Sequence, residues 1–373
     1  MSGGISVGQR LEARSGFTGF DYLRVGLSVL ILLWHCYWVF MGHYAWDTAL
    51  FSGFGRFFPA SFVPLFFALS GFLVAGSLER NTLRHFLLLR VLRILPALSF
   101  EVLISACLIG LAFTSMDRLD YLQNPRFHAY FLNIIGLVHI DLPAVFVTNP
   151  LPEQMNPQLW TIPYEFECYL ALAALSLLGL VWKRWFLGLT VLSYVTVFTA
   201  WTAYRITLNP QLMHMEGHVP GRVLVAAFLA GVALYRYRHA IPYSTLGGVL
   251  SIIGLVVTFD VPQLVYLSAL PAAYFVVWVG MMTPPPIPFG DLSYGIYLFH
   301  FPITQLMMHL FPVLTVWWQL ALIALPASAG CALVSWTLIE KPLLSHKRAI
   351  ITRFDGAVAA VAALAGRRKA PRG

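Results

Sequence analysis

Charge is scarce in this chain. Asp, Glu, Lys and Arg make up 11% of its 373 residues, about half the share of a soluble domain. With 59% hydrophobic residues, that deficit excludes an ordinary water-soluble enzyme. Cysteine is also sparse. Cys36, Cys107, Cys168 and Cys331 all fall inside apolar runs, with neither a disulfide framework nor metal-ligand spacing, so they read as buried thiols and no metal is expected. There is no Walker loop, dinucleotide glycine turn, nucleophile elbow or zinc-binding His-Glu motif. There is no repeat of soluble-repeat length and no low-complexity region. The polar start, "MSGGISVGQRLEARSG", is followed by a full-length apolar stretch with no small-residue cleavage pattern. It reads as a cytoplasmic tail before an uncleaved first helix.

Apolar runs are what the chain has in abundance. Runs long enough to cross a bilayer, about 20 residues each, recur at 21–41, 59–78, 92–114, 159–181, 186–204, 222–236, 243–260, 264–282, 292–312 and 315–338. The fold class is all-α, a polytopic transmembrane helical bundle of about ten spans. The sixth run is short and can extend backwards. Residues 127–147 are apolar but broken by His128, His139, Asp141 and Pro143, and read as a re-entrant or interfacial piece, with an eleventh span as the alternative. No soluble block separates the spans. One membrane domain therefore covers 20–342, between an N-terminal tail (1–19) and a C-terminal tail (343–373).

Orientation follows from Lys and Arg in the short loops. Arg10, Arg14, Arg80, Arg84, Arg90, Lys183, Arg184, Arg236 and Arg238 fall on one side, together with the basic tail from Lys341 to Arg372. The opposite side holds Arg56, Arg118, Arg126, Arg205 and Arg222. Both termini are expected to be cytoplasmic, in the inner (plasma) membrane. The net charge of +8 is explained by this topology, and no nucleic-acid partner is expected. "PPPIP" at 284–288 reads as a stiff inner loop, and "AVAAVAALAG" near the end is too short to span.

A few ionisable groups sit where they are costly. "FDYLRVGLSVLILLWHCYWVF" carries Arg24 and His35 eleven residues apart, three turns plus roughly 20°, hence one helix face with about 16 Å between them. A wet groove from the cytoplasmic boundary to mid-bilayer would explain both. A snorkelling arginine and a histidine bonded to a neighbouring helix would explain them equally well. Asp21 can hold the Arg24 guanidinium or serve only as a helix-start acid. Cys36 adjoins His35 but points about 100° away, which argues against a Cys–His dyad.

Three further clusters follow. "RHFLLLRVLRILPAL" places Arg90 and Arg93 one turn apart. Such guanidinium forks suit phosphate, although positive-inside anchors look the same. "QLWTIPYEFECYL" puts Glu165 and Glu167 beside an apolar helix whose entry is made irregular by Pro163, a backbone tolerated at depth only against protein or water. A cap, or a pair with an outer arginine, is the plainer role for Glu165. "SYGIYLFHFP" sets Ser293, Tyr297 and His300 on one stripe, which in an apolar span faces inward. "FFALSGFLVAG" holds a Ser70–Gly71 step typical of close helix packing.

Taken in order, these segments resemble membrane-bound acyltransferase family 3. The likeness rests on "FDYLR" with the Arg24-x10-His35 spacing, "FFALSGFL", "RVLRILP", "LWTIPYEFECY", "SYGIYLFHFP" and "IEKP" at 339–342. It covers nearly everything but the two tails and is to a stand-alone form. Two departures are mild: Thr161 stands where the family usually has serine, and Cys168 where it usually has phenylalanine. Glu165, not Glu167, falls on the family's glutamate.

The resemblance implies transfer of an acyl group, often acetyl, from cytoplasmic acyl-CoA to a hydroxyl, commonly on a carbohydrate, as in polysaccharide modification. It suggests His35 as general base, Glu165 orienting the acceptor or His35, and Arg24, Arg90 and Arg93 holding the phosphates of acetyl-CoA. Asp21, Ser70, Trp160, Ser293, Tyr297 and His300 would line the cavity. The competing class is a secondary transporter, which would show repeats and broken helices in corresponding halves. The polar motifs of the two halves are dissimilar. A non-catalytic scaffold would give no reason for His35 or His300.

Overall fold

A computed structural model describes residues 5–14, 16–43, 53–209, 219–288 and 290–368. A short helix α1 (Val7–Ala13) opens the chain, and Ser6 caps it in a reciprocal box with Gln9. The long helices α2 (Gly19–Met41) and α3 (Phe57–Arg80) follow. Helix α4 (Leu83–Leu103) continues through a π-helical stretch, Ile104–Gly110, into α5 (Leu111–Phe113). The short helices α6 (Arg118–Gln123) and α7 (Pro125–Tyr130) lie in the connection to α8 (Ile162–Leu177). Then come α9 (Arg184–Leu208), α10 (Gly221–Arg236), α11 (Thr245–Asp260) and α12 (Ala269–Gly280). The chain closes with α13 (Ser293–Leu310), α14 (Trp317–Ser335), α15 (Lys341–Ser345) and α16 (Lys347–Arg368). No strand occurs among the described residues, only isolated bridges such as Ser6–Pro242.

Each apolar run of the sequence falls on a helix. Six helical stretches are long and apolar enough to cross a membrane: Gly19–Met41, Phe57–Arg80, Leu83–Phe113, Arg184–Leu208, Pro262–Gly280 and Trp317–Ser345. This is a multi-pass helical membrane protein. The run at 222–236 is a 16-residue helix, and most of the stretch just before it (210–218) lies outside the described residues, as do Lys369 and Arg372. Residues 127–147 contain no spanning helix. They form the end of α7, a 3₁₀ turn Phe131–Ile135 and irregular backbone.

That irregular lobe is held by its own polar groups. Glu153 accepts from the Ala144 amide (2.7 Å) and from both terminal nitrogens of Arg126 (3.2 and 3.1 Å). Ala144, Phe146 and Glu153 all take left-handed φ values, a strained choice for non-glycine residues. Backbone bonds Leu142 N–H to Glu153 O (3.0 Å) and Glu153 N–H to Val145 O (2.9 Å) hold the turn in place.

Most of the segments carrying the basic residues meet at one end of the bundle. Helix α1 docks on the α10–α11 connection through Val7 N–H to Ile241 O (2.9 Å) and Gly8 N–H to Arg238 O (2.7 Å). Arg10 reaches the Met281 carbonyl (3.2 Å), and Thr18 the Pro284 carbonyl (2.5 Å). Arg84 and His85 pair with Asp355, at 3.3 and 2.9 Å, fastening α16 to the start of α4. The described part of the N-terminal segment thus docks on the bundle, and "AVAAVAALAG" continues α16.

The core is an interdigitated set of apolar side chains, with Phe72, Phe228, Phe299 and Phe301 fully buried. Helices α3 and α10 cross with backbones nearly in contact. A β-carbon on Gly71 would strike the Phe228 carbonyl, and one on Gly231 the Ala68 carbonyl. Small residues permit such close approach in membrane bundles. One expectation fails here: not all the cysteines are buried. Cys107, on the π-helical stretch, is exposed and Cys331 half-buried.

Candidate functional site

A cavity with about 160 Å³ of water-accessible space opens between α2, α3, α4, α8 and α13. A single water needs roughly 10–15 Å³ by the same measure, so the charged groups on its wall can be hydrated within the bundle. Arg24, Arg90 and Arg93 line it, with Glu165, Ser70, Thr161, Ser293 and Tyr297. Sequence segments more than 250 residues apart thus supply one wall, from Arg24 to Tyr297.

The arginines are not equivalent. Arg24 reaches Asp291 (3.0 Å) and, one turn back, Asp21 (3.4 Å). Arg93 bridges Asp291 (2.9 Å) and Glu340 (3.0 Å), and Glu340 is only 4% exposed. Arg90 has no ion pair among the described residues. Its guanidinium lies 5.9 Å from the rings of Phe86 and Tyr169, and its Nε has no hydrogen-bond partner. Asp291 is further held by the Ser293 amide (3.2 Å) and by the Ser293 hydroxyl, an Asx turn that starts α13. Burial pushes the Asp291 carboxyl up, but Arg24 and Arg93, with the two bonds from Ser293, outweigh it. The group is held below its ordinary carboxylate value.

Glu165 sits one turn into α8 and accepts from the Tyr169 hydroxyl (2.5 Å). Ser70 approaches the same hydroxyl (3.4 Å). With the Tyr169 proton committed to Glu165, Ser70 donates to Tyr169, and a short chain runs from α3 to α8. The outer-arginine pairing weighed for Glu165 belongs instead to Glu167, which binds Arg222.

His35 stands past the end of this cavity and is not on its lining. Tyr297 is on the cavity wall, with its ring 6.0 Å from that of His300. The shared helix face does hold: Arg24 and His35 both meet α13, through Asp291 and His300 respectively. Both pairs advance in the same direction, so α2 and α13 run parallel. His35 Nδ1 lies 2.5 Å from His300 Nε2. His300 Nδ1 lies 2.8 Å from the Tyr297 carbonyl and 3.1 Å from that of Ile296. Phe301 and Trp38 flank the His35 ring, with centroids at 5.3 and 5.6 Å.

Three residues expected on the cavity wall lie elsewhere. Asp21 is half-exposed, beside Arg24. Trp160 packs edge-on against Tyr164, 5.9 Å between ring centres. His300 is fully buried behind His35. The polar stripe of α13 splits, Ser293 and Tyr297 facing the cavity and His300 facing α2, because α13 touches both.

A 3₁₀ helix, Pro157–Thr161, reaches this depth. The Gln158 carbonyl accepts from the hydroxyls of Tyr297 (2.9 Å) and Thr161 (3.2 Å). The Gln158 side-chain amide donates to the Leu298 carbonyl (3.0 Å). Pro302 has no N–H to offer that carbonyl across the helix turn, so the Gln158 amide supplies the missing donor.

Asp291 and Glu340 as partners of the arginines, and Tyr169 as partner of Glu165, emerge only in the fold. Signals existed: an aspartate two residues before the helix-starting Ser293, the glutamate of "IEKP", and the i, i+4 spacing of Glu165 and Tyr169.

The family model for the acyltransferase domain of acyltransferase family 3 matches residues 17–340. The chain is also similar to Nodulation protein 10 of Rhizobium leguminosarum bv. viciae, 27% identical over 386 aligned residues that cover 93% of this chain and 99% of the relative. No solved structure matches the chain.

Proposed function

The chain belongs to acyltransferase family 3, and from that premise we propose that it moves an acyl group, acetyl in the first instance, from cytoplasmic acyl-CoA to a hydroxyl of a carbohydrate or glycosylated acceptor. The observation that carries this reading is the cavity itself. Three guanidiniums converge on it from α2 and α4, and the α2 helix that brings Arg24 also brings His35 eleven residues on.

Each part has a role in this reading. The cavity's arginine end faces the cytoplasm, as do both termini of a ten-span bundle in the inner membrane. Arg90, with no ion pair among the described residues, takes the donor's phosphates first. Arg24 and Arg93 share their charge with Asp291 and then with the donor. The acyl-pantetheine arm extends along the cavity towards Tyr297. His35 takes the proton of the acceptor hydroxyl as its oxygen attacks the thioester carbonyl. The carbon–sulfur bond breaks, the ester forms, and the proton passes to the departing thiolate. Glu165, fixed by Tyr169, orients the acyl chain or the acceptor.

The test uses detergent-solubilised full-length protein, acetyl-CoA, and the glycan fraction of a strain lacking the gene. Release of free CoA with a matching acetyl mass increment on the glycan is expected. Glycan uptake into proteoliposomes without CoA release would overturn the reading in favour of transport.

A further inference from the structure

The rings of His35 and His300 are parallel within 3°, with centres 4.8 Å apart, yet two of their nitrogens approach to 2.5 Å. A nitrogen pair closer than the thickness of stacked rings means that the two imidazoles meet edge to edge, in nearly one plane. That is the alignment an N–H···N hydrogen bond requires, with one nitrogen carrying the proton and the other a lone pair.

The proton positions in this pair are decided elsewhere in α13. Carbonyl oxygens only accept, so His300 Nδ1, between the carbonyls of Tyr297 and Ile296, carries its hydrogen. His300 is fully buried, and no carboxylate lies within ion-pair distance of either ring among the described residues. An imidazolium there would be an uncompensated buried charge, so the resting rings are neutral. With its hydrogen on Nδ1, neutral His300 has a lone pair on Nε2, and His35 must supply the hydrogen between them from its own Nδ1. The lone pair of His35 is then left on Nε2, the nitrogen pointing away from His300.

Resting on the reading of His35 as general base, we infer that His300 is its positioning residue. It selects the His35 tautomer whose Nε2 is free to take the acceptor's proton, and turns the ring so that this nitrogen faces the reacting hydroxyl. When Nε2 takes the proton, the resulting imidazolium keeps its Nδ1–H on the His300 lone pair, and returning the proton to the CoA thiolate restores the resting pair. A group that holds a histidine's remote nitrogen governs which nitrogen reacts. Here a second histidine does so in place of a carboxylate, which at this depth would add a charge.

Two measurements test the assignment in the full-length protein. In ¹⁵N-histidine-labelled protein, the His35 resonances, identified by their loss in His35→Gln, should show a protonated Nδ1 and an unprotonated Nε2. His300→Leu should lower turnover of acetyl-CoA with the glycan acceptor by roughly 10²-fold while leaving the KM for acetyl-CoA unchanged. His300→Gln, whose carbonyl can accept from His35, should recover a large part of that loss. A proton on Nε2 of His35 in the wild type would overturn the inference. So would full turnover in His300→Leu, or equal losses in the leucine and glutamine variants. If His35→Gln itself retained turnover, the base reading would fail while the ¹⁵N result still reported on the pair.

Discussion

At the N-terminal end of α13, Asp291 lies between Arg24 and Arg93, and Arg93 continues to Glu340. Farther along the same helix, His300 meets His35, with no carboxylate within ion-pair distance of either ring among the described residues. Both places are polar inside an apolar bundle, and each solves the burial problem differently. The first balances full charges against one another beside a cavity with room for water. The second passes neutral hydrogen bonds from ring to ring and ends them on a helix carbonyl. A donor rich in phosphate needs the first environment, and a base that must begin without a proton needs the second. Tyr297 stands between them.

The contrast is broken most completely at the neutral end. His35→Ala should lower acyl transfer by about 10³-fold at unchanged membrane expression, read as glycan acetylation by mass spectrometry. Next, Arg93 and Arg90 should separate. Arg93→Met leaves the buried Glu340 without its cation and Asp291 with Arg24 alone, and an uncompensated buried charge typically costs about 3–5 kcal/mol. The variant should therefore lose thermal stability in detergent as well as activity. Arg90→Met breaks no ion pair among the described residues and loses only the ring contacts with Phe86 and Tyr169. It should retain the wild-type melting temperature and raise the KM for acetyl-CoA about tenfold, equivalent to about 1.4 kcal/mol. Equal stability losses in both variants would erase the distinction between them.

A smaller effect concerns acid. Asp291 is held below its ordinary value by Arg24, Arg93 and Ser293 against the opposing push of burial. Its stabilisation is then complete above about pH 4, the unfolded value, and is lost as pH falls through the lower folded value. Asp291→Asn should flatten that acid limb in melting temperatures measured from pH 3 to 7. The smallest change is expected far from the cavity. Glu153 is likewise held low, first by hydrogen bonds from Arg126 and then by the Ala144 amide, over an opposing effect of burial. Glu153→Gln should alter turnover less than twofold and trim stability by under about 1 kcal/mol, as for exposed pairs.

Much of this was legible in the residues. The helical character, the positions of the apolar runs and the shared face of Arg24 and His35 follow from hydropathy and the 3.6-residue period, both local properties. The convergence of Arg24, Arg90, Arg93, Glu165, Ser70 and Tyr297 came from motif order and not from spacing. Partner choice was not legible. Nothing local to Arg93 says that Glu340, 247 residues away, neutralises it, or that Arg90, three residues earlier, goes without. The stripe of Ser293, Tyr297 and His300 was visible as a stripe. Its division between two neighbours depends on where α2 packs.

By itself, then, the sequence determined a helical membrane protein, its basic end, and the few ionisable residues that demand a reason. Those properties are set by transfer free energy and helix periodicity, which act residue by residue. Only the tertiary structure decided that His35 lies past the cavity, that its partner is His300, and that two of the three arginines already hold carboxylates. Hydrogen bonds and ion pairs act over a few ångströms, and only the packing of α2, α4 and α8 around α13 brings those particular atoms within reach.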